Sequence, residues 1–431
     1  MILRVRPSFL KGTVFAPPSK SVMQRLIAGA LLADGASMLH RPSESDDCTA
    51  ALATAAGLGA EIELGDDAIR ITGVAGTLAP RMEELNLGES GLGLRLFAPI
   101  AALHCEPLRL TGSGSLLKRP QQPMQEVLRR LGAACELAED VRPPIALNGP
   151  LRGGDCAVDG SLSSQFLTGL LFALPLAAED STLRVEGLVS RPYVDLTLAV
   201  LEDFGIEIDA SEEGVYRIRG GQTYQPWDGV VDGDWSAAAA LLVAGMLAAE
   251  NAITVDGLQN SYPQADEAIR GALLFAGGAA SGTDEGVQVA RRPVRAFNVD
   301  LTDSPDLFPV LASLAAFGNK PSTLRGAHRL IHKESNRIAS LQRAFEAAGI
   351  EIRHDEGLDA LVVVPRKGKD KVLAARIDAA GDHRIAMAGA LLGLAGAPIE
   401  IEGAECVAKS YPAFFDDLEA LGAVVQWVKK S

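Results

Sequence analysis

Six times along the chain, an apolar helix-like segment ends in a glycine and a strand-like stretch follows it. The glycines are Gly59, Gly132, Gly205, Gly277, Gly349 and Gly422, and successive subtraction gives spacings of 73, 73, 72, 72 and 73 residues. This period is longer than the roughly 20 to 50 residues of common solenoid repeats, so each repeat must contain several helices and strands. An ordinary doubly wound α/β protein would not explain so even a period.

Each repeat also carries a polar residue directly before a long alanine- and leucine-rich run. These residues are of types preferred at helix N-caps, and we predict that each begins a helix: Ser21, Ser90, Ser164, Asp234, Asp306 and Asp382. The runs behind them are apolar on nearly every face, which is typical of buried helices. Six α/β repeats of one size therefore predict two domains of three repeats, with the helices inside and the sheets outside.

The first of these helices has basic residues at the end where a helix normally disfavours them. Residues 17–33 read PPSKSVMQRLIAGALLA, so Lys20 and Arg25 lie in its first turns, next to the partial positive charge of the N-terminus. Further basic residues lie at similar helix starts or in loop segments with turn-forming residues, namely Arg95, Arg119, Lys333, Arg337, Arg384 and Lys409. Helix N-termini combined with cations predict a pocket for an anionic ligand.

The overall composition restricts the partners of this pocket. A net charge of -15 disfavours nucleic acid and anionic membrane surfaces, and the longest apolar run, 237–249, is too short to span a bilayer. Five scattered cysteines without a Cys-x-x-Cys pair are typical of a cytoplasmic protein. We predict no metal and no organic cofactor, because phosphate-binding glycine motifs are absent and five of the histidines lack ligand spacing: His40, His104, His328, His332 and His354.

Eight short motifs give the chain a family resemblance. In order they are PPSKSVMQR, DGSLSSQFLTGLL, VSRPYVD, DGDWSAA, SPDLFPVLA, HKESNR, GDHRIAMA and VAKSYP, and they closely resemble the 5-enolpyruvylshikimate-3-phosphate (EPSP) synthase family of enolpyruvyl transferases over essentially the whole chain. The resemblance implies two domains, each of three βαβαββ repeats with buried helices and outer sheets, an inside-out α/β barrel. It also implies a discontinuous domain of residues 1–18 and 233–431, a second domain of residues 19–232, and an active site in the interdomain cleft.

The implied reaction transfers the enolpyruvyl group of phosphoenolpyruvate to the 5-hydroxyl of shikimate 3-phosphate and releases phosphate through a tetrahedral adduct. Both substrates carry a carboxylate and a phosphate, which fits the predicted anion pocket. The resemblance assigns shikimate 3-phosphate to Lys20, Ser21, Arg25, Ser163, Ser164, Gln165, Ser190, Tyr193, Asp306 and Lys333. It assigns phosphoenolpyruvate to Lys20, Gly91, Arg119, Gln165, Arg337, Arg384 and Lys409.

The reaction needs a base for the 5-hydroxyl and an acid for the methylene carbon. Asp306 is the predicted base. Glu334 is a candidate acid, but the cations expected around it favour its ionised form, so Lys20 is the competing proton donor. Without the resemblance, Asp306 would be read as an ordinary helix cap.

One segment departs from the family pattern. Where the family usually reads Asn-Ala-Gly-Thr, this chain reads Glu89-Ser90-Gly91-Leu92. Glu89 is expected to repel phosphoenolpyruvate unless a neighbouring arginine pairs with it.

Two other functions stay open at this point: a non-catalytic binding protein for phosphorylated acids, and a UDP-N-acetylglucosamine enolpyruvyl transferase, whose active loop has a cysteine where this chain reads SGSLLKRPQ. We expect the protein to act as a monomer.

Overall fold

A computed structural model describes residues 1–428 except 139, 162, 259, 260, 285 and 332, and it leaves the side chains of residues 122 and 123 undescribed. The chain forms two compact units. Unit 1 consists of Met1–Pro17, Asp232–Asn260 and Gln264–Ser431, and unit 2 consists of Pro18–Val231 and Ser261–Pro263. The predicted location of the active site between two domains stays a prediction.

In the described part of the chain, no helix has both the length and the hydropathy needed to cross a membrane.

Twenty-four strands and twelve α-helices are found in the described residues. The strands are β1 (Ile2–Arg6), β2 (Leu10–Phe15), β3 (Ala36–His40), β4 (Glu61–Leu64), β5 (Ala68–Thr72), β6 (Glu84–Asn86), β7 (Leu108–Thr111), β8 (Ala134–Leu137), β9 (Ile145–Asn148), β10 (Gly154–Asp159), β11 (Ser181–Glu186), β12 (Ile208–Asp209), β13 (Val215–Ile218), β14 (Asp228–Val230), β15 (Ala249–Asp256), β16 (Ala279–Gly282), β17 (Gly286–Ala290), β18 (Asn298–Asp300), β19 (Ser322–Arg325), β20 (Glu351–Asp355), β21 (Ala360–Val364), β22 (Ala375–Asp378), β23 (Ile399–Glu402) and β24 (Val424–Val428). The helices are α1 (Lys20–Leu32), α2 (Asp46–Gly57), α3 (Gly91–Ala101), α4 (Gln122–Arg130), α5 (Gln165–Ala173), α6 (Arg191–Asp203), α7 (Trp235–Ala248), α8 (Ile269–Phe275), α9 (Phe308–Ala316), α10 (Arg337–Ala347), α11 (His383–Ala395) and α12 (Phe414–Ala420).

The strands form six four-stranded sheets with one common topology. Unit 2 contains the sheets β14-β3-β5-β4, β6-β7-β9-β8 and β10-β11-β13-β12, and unit 1 contains β2-β15-β17-β16, β18-β19-β21-β20 and β22-β23-β1-β24. In every sheet the first two strands are parallel and the other two pairings are antiparallel. Three of the sheets are contiguous βαβαββ repeats (β6–β9, β10–β13 and β18–β21), whereas the other three each take one strand, β14, β2 or β1, from a distant part of the chain. The common topology confirms the predicted inside-out α/β fold class.

The first helix of every repeat is buried, as its all-round apolar sequence predicts. These helices are α1, α3 and α5 in unit 2 and α7, α9 and α11 in unit 1. In α7 every residue is buried except Ser236, in the first turn. Helices α3 and α5 pack so closely that a Cβ added to Gly169 would lie 2.3 Å from the carbonyl oxygen of Arg95. The helices form the cores, and their polar groups are concentrated at their ends.

The six repeat glycines end the second helix of each repeat in the same way. All six have a positive φ, between 75° and 120°, which glycine adopts without steric cost. In every case the N–H after the glycine donates to a carbonyl five residues earlier, with the pairs 60/55, 133/128, 206/201, 278/273, 350/345 and 423/418. This is the Schellman motif, and it explains why the period of the sequence was marked by glycine.

The predicted N-caps are confirmed in part. Three accept a hydrogen bond from the first turn as expected: Ser90, Asp234 and Asp382. Ser164 occupies the N-cap position of α5, but its side chain makes no capping bond. The prediction for Ser21 is wrong, because the helix begins one residue before it and Ser19 accepts from the N–H of Val22. The prediction for Asp306 is also wrong, because it lies inside a short 3-10 helix, Pro305–Leu307, and its carboxylate binds cations.

Gly277, just after helix α8, and Gly271, inside it, provide a matched test of the capping motif. Gly277→Ala places a side chain at φ +87°, 3.0 Å from Arg295 Cδ, and we expect it to lower the free energy of unfolding by about 1 to 2 kcal/mol. Gly271→Ala, inside the same helix with open space around the new methyl, should raise it by about 0.5 to 1 kcal/mol. Urea denaturation measures both, and equal effects of the two substitutions would contradict the capping role.

Candidate active site

In unit 2 the N-terminal ends of the three buried helices meet. Ser90, the N-cap of α3, donates from its hydroxyl to Gln24 Oε1 of α1 at 3.0 Å. Arg95 of α3 donates from Nη1 to Gln165 Oε1, at the first residue of α5, at 2.7 Å. Backbone N–H groups at helix N-termini form natural anion sites. Hydrogen bonds between these side chains thus join the positive ends of the three helices.

Arg25 is a buried cation with neutral partners. Its guanidinium donates to the hydroxyls of Thr197 (2.9 Å) and Thr168 (3.4 Å) and to the carbonyls of Ser21 (2.7 Å) and Tyr193 (3.2 Å). Burial lowers the pKa of Arg25 to about 10, which leaves it charged at neutral pH. Burying a charge among neutral oxygens is costly, and an anion that reaches this side chain would offset that cost.

Lys20 has a carboxylate partner that the sequence did not indicate. Its ammonium lies 3.0 Å from Asp47 Oδ2, and both side chains are less than one-fifth exposed. Asp47 is in the first turn of α2, where an acidic residue suits the helix dipole, so its local pattern is that of an ordinary helix start. The ion pair holds Lys20 at the beginning of α1.

Arg119 lies against the backbone of Gly91 at the start of α3. A Cβ added to Gly91 would be 2.6 Å from Arg119 Nη1 and 3.7 Å from Gln165 Oε1, so this position leaves no room for a side chain. From the sequence, Glu89 is expected to repel an anion or to pair with an arginine. In the structure, its carboxylate accepts the backbone N–H of Ser115 at 2.8 Å. Its carboxylate thus contacts the loop that carries Arg119.

The remaining candidates of unit 2 lie at the starts of α5 and α6. The hydroxyl of Ser163 accepts the N–H of Gln165 at 3.2 Å, and the carbonyl of Ser164 accepts from Thr168. Ser190 is buried, precedes α6 and has φ +57°, an uncommon conformation for a residue other than glycine and one found at functional sites. Tyr193 follows in the first turn of α6 and meets Arg25 through its carbonyl.

In unit 1 the ends of the three buried helices meet in the same way. Arg384, in the first turn of α11, donates to the carbonyl of Ser236 in α7 at 2.9 Å and also binds the Ser236 hydroxyl. Its guanidinium lies 3.8 Å from Asp306 Oδ2, in the 3-10 helix that leads into α9. Lys409 donates to the carbonyl of Gly381 at 2.7 Å, next to the N-cap of α11. Arg384, Asp306 and Lys409 are therefore near these helix starts.

Arg337 is the centre of the ionic network in unit 1. It is 1% exposed, and its three nitrogens bind three carboxylates: Asp382 (2.8 Å), Asp306 (2.6 Å) and Glu334 (2.6 Å). Lys333 adds a second cation to Asp306 at 3.3 Å. Because the geometry satisfies every nitrogen of the guanidinium, the network is rigid, and the positions of Asp306 and Glu334 both depend on Arg337.

The network shifts the titration of its members. Desolvation alone would raise the pKa of Asp306, but Lys333, Arg384 and Arg337 together bring that pKa well below its ordinary value. Burial lowers the pKa of Lys333, and the charge of Asp306 opposes this effect. Burial would also lower the pKa of Arg337, yet the surrounding carboxylates raise it well above its ordinary value. In the free protein Asp306 is therefore an ionised carboxylate surrounded by cations.

Asp266 is a buried carboxyl that sequence reasoning missed. It lies in the 3-10 helix Ala265–Ala268, and its surroundings include Asp306, Arg384 and the hydroxyl of Ser236. Burial, and next the charge of Asp306, raise the pKa of Asp266 to about 6. A single aspartate in a polar loop has no distinguishing signal in the sequence, because only the fold brings it to Arg384.

The metal and cofactor predictions stay predictions. Among the described residues, no group of three or more His, Cys, Asp or Glu side chains is arranged to hold a metal ion. His332 lies outside the described residues. The five cysteines are all free thiols, and burial raises the pKa of Cys48 and Cys135 to about 12. Neither cysteine has thiolate character at neutral pH.

Three comparisons with known proteins agree with one another. A family model described as EPSP synthase (3-phosphoshikimate 1-carboxyvinyltransferase) matches residues 5–418. The chain is 37% identical over 428 residues to a 3-phosphoshikimate 1-carboxyvinyltransferase of Methanocorpusculum labreanum, covering 98% of this chain and 99% of the relative. It is 39% identical over 429 residues to that of Aeropyrum pernix, covering 99% and 96%. A solved EPSP synthase from Acinetobacter baumannii superposes with a TM-score of 0.81 at 26% identity, covering 99% of this chain and 100% of that one.

Asp266→Asn tests the raised pKa of the buried carboxyl. Because the pKa of about 6 lies above the ordinary 3.8, the folded state binds more protons between these values, and the group's contribution to stability falls as pH rises through this window. At pH 8 we expect the variant to be more stable than the parent by about 2 to 3 kcal/mol, and at pH 4.5 the advantage should shrink by more than half.

Urea denaturation at both pH values measures the effect, with the exposed Asp370→Asn as control. As a surface substitution, the control should change the free energy of unfolding by less than about 0.5 kcal/mol. A variant less stable than the parent at pH 8 would mean that the Asp266 carboxylate stabilises the fold.

Proposed function

The chain belongs to the EPSP synthase family and transfers the enolpyruvyl group of phosphoenolpyruvate to shikimate 3-phosphate in aromatic amino acid biosynthesis; from this premise we propose the residues that do so. The relatives' names and the match over nearly the whole chain set aside the two other functions considered from the sequence, a silent binding protein and a UDP-N-acetylglucosamine enolpyruvyl transferase. Each unit contributes one cluster of cations at the joined starts of its buried helices. This pair of clusters is the observation that carries the proposal.

We assign shikimate 3-phosphate to the polar starts of α1, α5 and α6 and to part of the unit 1 network. Arg25 supplies a buried charge for an anionic group of the substrate, and its neutral partners support this role. The proposed set is Lys20, Ser21, Arg25, Ser163, Ser164, Gln165, Ser190, Tyr193, Asp306 and Lys333. Hydroxyls and amides in this set suit the ring hydroxyls and the phosphate.

Phosphoenolpyruvate is assigned to the arginines and lysines of both clusters. The proposed set is Lys20, Gly91, Arg119, Gln165, Arg337, Arg384 and Lys409. Planar guanidinium groups bind carboxylate and phosphate with two parallel hydrogen bonds; Arg337 must exchange bonds to its carboxylate partners for the substrate, because all three of its nitrogens are bound in the free protein. The bare backbone at Gly91 lets an anion approach the N–H groups of α3. The contact of Arg119 with Gly91 supports this pairing of side chain and backbone.

Asp306 accepts the proton of the 5-hydroxyl in this proposal. In the free chain the pKa of Asp306 is held low by Lys333, Arg384 and Arg337, which would make it a weak base. Substrate anions that share these cations weaken their hold on Asp306 and raise its basicity when the complex forms. The 5-oxygen then bonds to the central carbon of phosphoenolpyruvate while the C=C double bond opens and the methylene carbon takes a proton from the acid, which gives a tetrahedral adduct with a methyl group. The adduct later loses phosphate as this methyl group gives up a proton and the double bond forms again.

Lys20 is the proton donor that the geometry favours over Glu334. Glu334 accepts a hydrogen bond from Arg337 at 2.6 Å, the arrangement of an ionised carboxylate that has no proton to give. Lys20 carries its ammonium proton in the ion pair with Asp47. Glu334 is then suited to take a proton back from the methyl group of the adduct.

We further propose that the protein works in the cytoplasm and as a monomer. All five cysteines are free thiols, as expected in a reducing compartment. Three of them are buried in hydrophobic cores, so they serve packing.

Asp306→Asn tests the assignment of the base. We expect turnover, measured as phosphate release from phosphoenolpyruvate with shikimate 3-phosphate, to fall about 10²- to 10⁴-fold, because an amide cannot accept the hydroxyl proton. Affinity for shikimate 3-phosphate, measured by calorimetry, should change by less than about tenfold. The parent should show no phosphate release with UDP-N-acetylglucosamine as acceptor.

Asp300→Asn is the matched control, because this exposed aspartate in the preceding strand accepts the N–H of Thr302, which an amide oxygen also does. It should keep parental turnover. Equal phosphate release by Asp306→Asn and the parent would contradict the catalytic role of Asp306.

A further inference from the structure

The loop before α3 and the loop that carries Arg119 are in direct backbone contact. The N–H of Ser113 donates to the carbonyl of Gly88 at 2.7 Å, and a Cβ added to Gly112 would lie 2.7 Å from the same oxygen. A 3-10 helix, Gly114–Lys118, follows, and its own N-cap residue, Ser113, makes no side-chain capping bond. Contacts from the neighbouring loop therefore decide how this helix begins.

Glu89 supplies that contact. Its Oε2 accepts the N–H of Ser115 at 2.8 Å, which places a negative charge at the positive end of the 3-10 helix. The carboxylate occupies space that only glycine leaves, because a Cβ added to Gly114 would lie 2.5 Å from Glu89 Cδ. Gly114 also has φ +51°, so this turn and the carboxylate fit each other.

The far end of the same helix holds Arg119. Its backbone N–H donates to Leu116 O at 3.1 Å, and its Nη2 donates to the hydroxyl of Ser115 at 3.2 Å. Arg119 is 8% exposed, and its Nη1 lies where a side chain at Gly91 would be. Ser115 thus joins the two ends: its N–H binds Glu89 and its hydroxyl binds Arg119.

We propose that Glu89 is a positioning residue for phosphoenolpyruvate: it anchors the 3-10 helix Gly114–Lys118 through Ser115 and so holds Arg119 against the backbone of Gly91. The inference rests on the proposed function, which assigns Arg119 and Gly91 to this substrate. It reverses the expectation from the sequence that Glu89 weakens anion binding, because the carboxylate faces a helix N-terminus and its effect on the substrate passes through Arg119.

Two substitutions separate the anchoring bond from the charge. Glu89→Ala removes the acceptor, and we expect the KM for phosphoenolpyruvate to rise about tenfold while the KM for shikimate 3-phosphate changes less than about twofold. Glu89→Gln keeps an acceptor oxygen without the charge, so its KM for phosphoenolpyruvate should stay within about threefold of the parent. The exposed Glu136→Ala is the matched control for loss of a carboxylate in the same unit.

Hydrogen exchange of residues 112–121 gives a readout that does not need turnover. Exchange of this segment should be faster in Glu89→Ala than in the parent, with the rest of the chain unchanged, and Glu89→Gln should restore protection. If the parent shows no release of phosphate that depends on shikimate 3-phosphate, the proposed function fails, and calorimetric titration with phosphoenolpyruvate replaces the KM comparison.

The outcomes that overturn the proposal are specific. An unchanged KM for phosphoenolpyruvate in Glu89→Ala, or unchanged exchange of residues 112–121, would show that Glu89 does not anchor Arg119. A lower KM in Glu89→Ala would show that its charge repels the substrate. Equal rises in the KM of both substrates would indicate general damage to the unit.

Discussion

The N-termini of three largely buried helices meet in each unit, and the rest of the site depends on this constraint. Helices that are apolar on every face can pack in a core, but their unpaired backbone N–H groups at the first turn must meet polar partners. The residues at these starts therefore become the polar part of each unit. Cations placed there work together with the helix dipoles to attract anions, although the chain as a whole has a net charge of -15.

The buried cations of the two clusters have different kinds of hydrogen-bond partner. In unit 1, Arg337 is balanced by Asp306, Glu334 and Asp382, so the network is complete before any substrate binds. In unit 2, Arg25 meets neutral oxygens in the described contacts and carries the cost of a buried charge. In our proposal the unit 1 cluster fixes the geometry of the catalytic groups, while the unit 2 cluster gains most when an anion binds. Buried ionisable groups of both kinds reduce stability in return for function.

The Glu89 segment departs from the family pattern, and neighbouring residues accommodate its carboxylate. Taken alone, a carboxylate beside an anion site suggests weaker binding. In the structure the carboxylate meets the backbone N–H of Ser115, and the turn at Gly114 has the conformation that makes room for it. The physical effect of a charge depends on the dipole it faces, so the same residue type can weaken or strengthen a site.

The sequence by itself determined the buried helices and the glycine caps, because each of these depends on one helix and its flanking turn. The six repeats could be counted from the sequence because each one contains these local markers. It also placed the basic residues at the helix starts. Only the tertiary structure decided which groups meet: Asp306 binds Arg337 instead of capping a helix, and Lys20 pairs with Asp47. Glu89 likewise meets its partner in another loop. These contacts join residues that are distant in the chain, and local patterns carry no information about the partner that packing brings within hydrogen-bond distance.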